Sequence, residues 1–145
     1  MLTETVTQRL RKPCRLHHKS LVDPLFSEGS SLYAYPLRLV WRKVTEEELQ
    51  RVFRPESRPV LARIQMMVSV PKRKQRRAVD RVLMRRRIRE AYRRLLPQYE
   101  KCLMQKNHNC ATLSLGIVYI SQKQEGYELI SRKLDALMQK MMNQL

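Results

Sequence analysis

Residues 72–94 read KRKQRRAVDRVLMRRRIREAYRR, twelve Lys and Arg in twenty-three positions with only Asp80 and Glu90 against them. A run of like charge ordinarily repels itself and stays unfolded. This one carries apolar residues at helical spacing. Met84, Ile88, Ala91 and Leu95 stand at i, i+4, i+7 and i+11, one stripe of a helix. At roughly 100° per residue, Arg85, Arg86, Arg89 and Arg93 fall on a different face. The segment therefore folds only against a core that takes the stripe, and it then gathers guanidinium groups on a flank. The partner that rewards such a flank is a polyphosphate, which means nucleic acid.

The balance of the chain agrees. There are 30 Lys and Arg against 13 Asp and Glu, a net charge of +17 over 145 residues. An excess of this size speaks about partners and not about fold. The 43% hydrophobic content is enough for a packed core, and the length suits a single RNA-binding domain over 1–145. No apolar run approaches 18 residues, so no membrane span is expected. The opening MLTETVTQRL has no apolar core of a signal peptide. Cys14, Cys102 and Cys110 are an odd, widely spaced set and read as free thiols in a reducing cytoplasm.

Residues 1–18 are polar and basic and are expected to be extended or flexible. A short helix is expected over 20–28, capped by Ser20 and stopped by Gly29. Residues 31–42 read as extended, with Tyr33, Tyr35, Leu37, Leu39 and Trp41 on one side and Pro36 interrupting. Residues 45–58 are acidic and flanked by proline, an excursion whose Glu46, Glu47 and Glu48 start one helical turn. A strand over 60–70 ends at Pro71. The arginine helix follows over 77–96, stopped by Pro97. A buried strand over 112–121 and a last helix over 126–145, with the stripe Ile130, Leu134, Leu137 and Met141, complete the chain. The class is α+β, a sheet of about four strands with helices mainly on one face, in the order α-β-β-β-α-β-α. The strand–helix–strand unit suggests a parallel pair joined by a crossover.

The arginine segment resembles the protein subunit of bacterial ribonuclease P, whose helix carries a pattern close to AVxRNRxKRxxRE. Ala78-Val79-Asp80-Arg81, Arg85-Arg86 and Arg89-Glu90 match it in register. The lead-in VSVPKRK is similar to that family's strand and basic loop. LVDPLFSEG resembles its first helix, with Val22 and Phe26 at the aromatic and apolar positions and Gly29 as the terminating glycine. The likeness covers roughly residues 9–140. It departs at Val82-Leu83, which stand where the family has Asn-Arg. The resemblance implies a left-handed crossover, against the usual right-handed rule. It also implies a protein cofactor of a catalytic RNA that removes the 5′ leader of precursor tRNA using Mg2+. None of that metal would be held tightly by the protein.

By that resemblance the partners are the catalytic RNA subunit and precursor tRNA, with no DNA and no membrane. The expected RNA contacts are Lys72, Arg73, Lys74, Arg76 and Arg77 in the loop and Arg81, Arg85, Arg86, Arg89 and Arg93 on the helix. Arginine suits the task because its planar fork grips phosphate at two points. Val22, Phe26, Arg38 and Val40 are expected to line the leader cleft. Phe26 is equally a core residue or a base-stacking one, and Tyr33, Tyr35 and Trp41 lean toward core. Arg87 and Arg94 point away and read as solvated. Cys14, His17, His18, His108 and Cys110 fit no ordinary zinc spacing. Glu46, Glu47 and Glu48 have no supporting acid–base group, so no catalytic residue is expected in the protein. The competing reading is a structural RNA-binding protein of the ribosomal or assembly-factor kind. A DNA reader is disfavoured because no helix-turn-helix or zipper pattern accompanies the arginine helix.

Overall fold

The structure, a computed structural model, describes residues 10–106 and 110–145. Four strands form one sheet in the order β1-β2-β4-β3, with β1 at Ser30–Ala34, β2 at Leu37–Val44, β3 at Ile64–Ser69 and β4 at Thr112–Tyr119. β1 pairs antiparallel with β2, and β2 antiparallel with β4. β3 and β4 are parallel neighbours, joined through the long helix α3 at Ala78–Gln105. α3 and α4 (Tyr127–Gln144) cover one face of the sheet. Leu37, Leu39, Trp41, Ile64, Leu113, Leu115 and Ile117 meet Met84, Ile88 and Tyr92 of α3 and Ile130, Leu134, Leu137 and Met141 of α4 there. The short helices α1 (Lys19–Glu28) and α2 (Glu46–Val52) take part of the opposite face, around Leu21, Leu25, Val40, Val44 and Leu49.

Several expectations change. α1 begins one residue early, and Ser20 lies inside it. His18 holds the capping position without a side-chain hydrogen bond. Pro24 also sits inside α1, which persists because Leu21 and Leu25 are buried beneath it. Gly29 ends the helix in extended backbone, not in a left-handed turn. Its necessity is closeness: a Cβ there would clash with the Leu25 carbonyl oxygen and lie 3.0 Å from that of Trp41.

α3 does not stop at Pro97 but runs to Gln105. A proline inside a helix costs about 3 kcal/mol. Beyond it Tyr99 and Leu103 are buried against α4 and the core, each worth about 1.5–3 kcal/mol. The Tyr99 hydroxyl also donates to the Asp135 carboxylate and, at 3.1 Å, to its carbonyl oxygen. Packing therefore outweighs the breaker.

Residues 31–42 are not one ribbon but a hairpin turning at Tyr35 and Pro36, whose peptide bond is cis. Its register sets Tyr33 opposite Arg38. Odd positions of β1 therefore share a face with even positions of β2, and the alternation does not carry across the turn. Trp41 enters the core, while Tyr33 is 62% and Tyr35 55% exposed, against their expected leaning toward core.

Of the N-terminal segment, residues 1–9 lie outside the described part. Residues 10–18 form a strap along β3, where the Leu16 amide donates to the Met66 carbonyl at 3.0 Å and Leu16 is buried. The Gln65 side chain donates to the Pro13 carbonyl at 2.9 Å. The acidic excursion holds a full short helix, α2, capped by Thr45 Oγ1 accepting from the Glu48 amide.

Candidate nucleic-acid interface

The stripe of α3 does what its spacing predicts. Met84, Ile88 and Ala91 are fully buried, which turns the arginines onto two flanks. Arg85, Arg86 and Arg89 fall on one of them and make no hydrogen bond or ion pair with any described residue. Arg89 also lines a cavity of about 450 Å³ with Arg15, His17 and Met67. Arg87 occupies the other flank and is not merely solvated. Its Nη1 donates to the Glu125 carbonyl at 2.6 Å, tying α3 to the entry of α4.

Two expected contacts are committed elsewhere. Arg81 donates from Nη1 to the carbonyls of Gln75 (3.1 Å) and Arg76 (2.8 Å), clamping the preceding loop. Arg93 is held by Glu90 through Nε at 3.0 Å and Nη2 at 2.6 Å, and Arg94 shares that carboxylate at 2.8 Å. The two guanidinium groups hold the Glu90 carboxyl down at about 2. Glutamate four or three positions before arginine is a favourable helical pair, so this neutralisation was readable from spacing.

The loop before α3 presents Lys72, Arg73, Arg76 and Arg77 as exposed side chains, with Lys74 half-buried. Its shape rests on Gln75, a residue that charge counting passes over. Gln75 is buried and donates to the carbonyls of Ser121 (3.1 Å) and Lys123 (3.2 Å). A glutamine inside a basic run was the available signal.

Across the sheet from α3 lies the second candidate surface. Cross-strand partners share a face, so Val40, Gly116 and Met67 form one row and Arg38, Val118 and Ser69 the next. α1 covers the first row. Val40 is buried under Leu21 and Leu25, so it is floor and not lining, which corrects its placement in the cleft. Val22 packs at the edge of that cluster. Phe26 is 38% exposed and its ring approaches Gly116, so it is a wall residue with one side open. Arg38 is half-buried on the uncovered row, with its guanidinium 5.7 Å from the Tyr33 ring centroid.

The carboxylates of the excursion serve the fold. Glu48 pairs with Arg42 at 2.5 Å, both mostly buried, which withdraws Arg42 from any ligand. Glu46 pairs with Arg58, and this holds the Glu46 carboxyl below its ordinary value. Among the described residues no group of three or more His, Cys, Asp or Glu could hold a metal ion. His17 and His18 stack at 4.2 Å, and burial with the neighbouring His17 lowers the pKa of His18. Cys14, Cys102 and Cys110 are free, and burial raises the thiol pKa of Cys14 and Cys110. His108 lies outside the described residues. No helix among the described residues is long and apolar enough to cross a membrane.

Comparison with known proteins follows the same lines. The family model described as Ribonuclease P matches residues 10–142. The ribonuclease P protein component of Porphyromonas gingivalis is 32% identical over 117 residues, covering 81% of this chain and 76% of that one. Among solved structures, the chain is similar to the RNase P protein of Staphylococcus aureus, with a TM-score of 0.57 at 14% identity, covering 88% of this chain and 94% of that one. It is also similar to that of Thermotoga maritima, with a TM-score of 0.57 at 15% identity, covering 87% and 96%. At these identities the structural likeness is one of fold.

Proposed function

This chain belongs to the ribonuclease P protein family, and we propose that it works by holding RNA on two surfaces, the open flank of α3 and the sheet face beside α1. It is the protein component of an endoribonuclease holoenzyme that processes the 5′ end of tRNA. The whole chain acts as one RNA-binding domain, on the catalytic RNA and on precursor tRNA. Cleavage is carried out by the RNA with divalent metal ions, and the protein contributes binding. The setting is the cytoplasm, in keeping with three free cysteines.

The observation that carries this reading is the flank on which Arg85, Arg86 and Arg89 have no partner among the described residues. Guanidinium groups left unpaired beside one another repel, and a phosphate backbone relieves that repulsion while releasing counterions. The loop at Lys72, Arg73, Lys74, Arg76 and Arg77 extends the same positive surface to the start of the helix. Arg81 supports that loop from beneath. Phe26, Val22 and Arg38 border the groove that takes the single-stranded leader, where an aromatic side chain can stack on a base of any sequence.

Reconstitution with the cognate catalytic RNA tests this. Protein alone should leave precursor tRNA intact, and protein with RNA should cleave it faster than RNA alone at low magnesium. Cleavage by the purified protein without RNA, surviving controls for contaminating nuclease, would overturn the assignment of the chemistry to RNA.

A further inference from the structure

Beyond Phe26 the sheet has an uncovered row on which Arg38 borders the leader groove and Tyr33 lies past it. Tyr33 pairs with Arg38, Arg38 with Val118, and Val118 with Ser69, so the four side chains cross all four strands on one face. Three inter-strand gaps make this row about 14 Å long. α1 stops short of it, since its buried contacts end on the Val40 row. At the β1 end Tyr33 is largely exposed, and Arg38 stands over its ring. Arg38 commits Nη2 to Ser31 Oγ at 3.2 Å. Its Nη1 and the Tyr33 hydroxyl have no hydrogen-bond partner among the described residues.

We propose that Tyr33 and Arg38 form a second base-stacking position for single-stranded RNA, one sheet row beyond Phe26. A leader that passes Phe26 then continues across the sheet onto the β1–β2 hairpin. This rests on the reading that the sheet face beside α1 takes the leader. A flat aromatic and a guanidinium plane are the two protein groups that stack on bases without choosing among them. The charge of Arg38 also favours the phosphate that follows the base. Four-stranded sheets with exposed aromatics hold two or three bases in other RNA-binding domains, and the row here has that extent. If Tyr33 were present only for its strand propensity, any β-former would replace it without consequence for RNA.

The test uses holoenzyme reconstituted from full-length protein and the cognate catalytic RNA, with three ligands: precursor tRNA with a long single-stranded leader, the same with its leader cut to a single nucleotide, and mature tRNA. Tyr33→Ala should weaken the long-leader precursor by about tenfold and leave the other two unchanged. Tyr33→Phe should retain wild-type affinity for all three. Tyr33 is exposed, so thermal melting should show both variants folded. Phe26→Ala runs beside them as the control for the cleft. If Phe26→Ala loses the long leader and Tyr33→Ala does not, the second position is wrong and the cleft stands. If neither variant distinguishes the ligands, the leader reading falls and the proposal with it. If Tyr33→Ala weakens all three equally, Tyr33 touches the tRNA body or the catalytic RNA, and the proposal is overturned.

Discussion

The ring of Phe26 lies against Gly116 so closely that a Cβ built on Gly116 would stand 3.2 Å from Phe26 Cζ. The glycine on β4 makes the space into which a half-exposed phenylalanine of α1 leans. Helix and sheet thus meet without closing the groove between them.

That contact predicts the behaviour of Phe26→Ala. One stacked base is worth about 1–3 kcal/mol, so precursor tRNA should bind the holoenzyme roughly tenfold more weakly. Mature tRNA, which lacks the leader, should be unaffected. Because Phe26 is more than one-third exposed, the variant should lose less than the ~3–5 kcal/mol of a core Phe→Ala change. Urea melts of the free protein check the second point. Equal losses with both tRNAs would make Phe26 a packing residue only.

The arginines of α3 should separate by flank. Arg85→Ala or Arg89→Ala is expected to weaken RNA binding and to reduce the salt slope by up to about 1 for each phosphate no longer neutralised, with stability unchanged. Arg87→Ala should do the reverse. It removes a hydrogen bond from a charged donor to the Glu125 carbonyl, worth about 1.5–3 kcal/mol, and should lower the melting temperature with little effect on RNA. Affinity measured across a salt series, paired with thermal melts, tells them apart. Equal RNA losses at all three positions would mean that only bulk charge counts.

Glu90→Gln removes the carboxylate that Arg93 and Arg94 share, lowers the local negative charge, and should raise affinity for RNA with a steeper salt slope. The pairs are partly exposed and lie within one helix, so their contribution to stability is under about 1 kcal/mol each. The sign of the pH dependence follows from the carboxyl being held at about 2 against an ordinary 4.5. A depressed acid stabilises the fold fully above its ordinary value and loses that contribution as pH falls through the depressed one. The stability difference between wild type and Glu90→Gln should therefore be constant above about pH 5 and shrink toward pH 2. Denaturant midpoints at stepped pH read it directly, and a difference that grew on acidification would refute the pairing.

Gly29→Ala should destabilise the fold although the backbone there is ordinary for any residue. The added methyl meets the carbonyl oxygens of Leu25 and Trp41, both main-chain atoms that cannot turn aside. Overpacking of this kind costs about 1–3 kcal/mol or more. A neutral result in chemical denaturation would show that α1 can lift away from β2.

Several elements of this protein were legible in its amino-acid order because they are local and periodic. Met84, Ile88 and Ala91 state the buried side of α3, and Ile130, Leu134, Leu137 and Met141 that of α4, since a helix repeats its face every 3.6 residues. The arginine register named the family for the same reason: charge placed at fixed offsets on a helix survives as pattern. What depended on distant residues was not legible. Pro97 reads as a stop until Tyr99 and Leu103 have α4 to pack on. Tyr33 and Trp41 read as one face until the turn at Pro36 sets the register. Val40 reads as cleft lining until α1 lies over it. Arg81 and Arg87 are chemically identical to Arg85 and Arg89. Only the folded positions of the Gln75, Arg76 and Glu125 carbonyls bind the first pair to the protein, while the second pair has no partner among the described residues. The chain order determines which groups are available. Tertiary structure decides which of them are already satisfied, because a hydrogen bond or a buried contact is made between residues far apart in sequence and leaves no period in it.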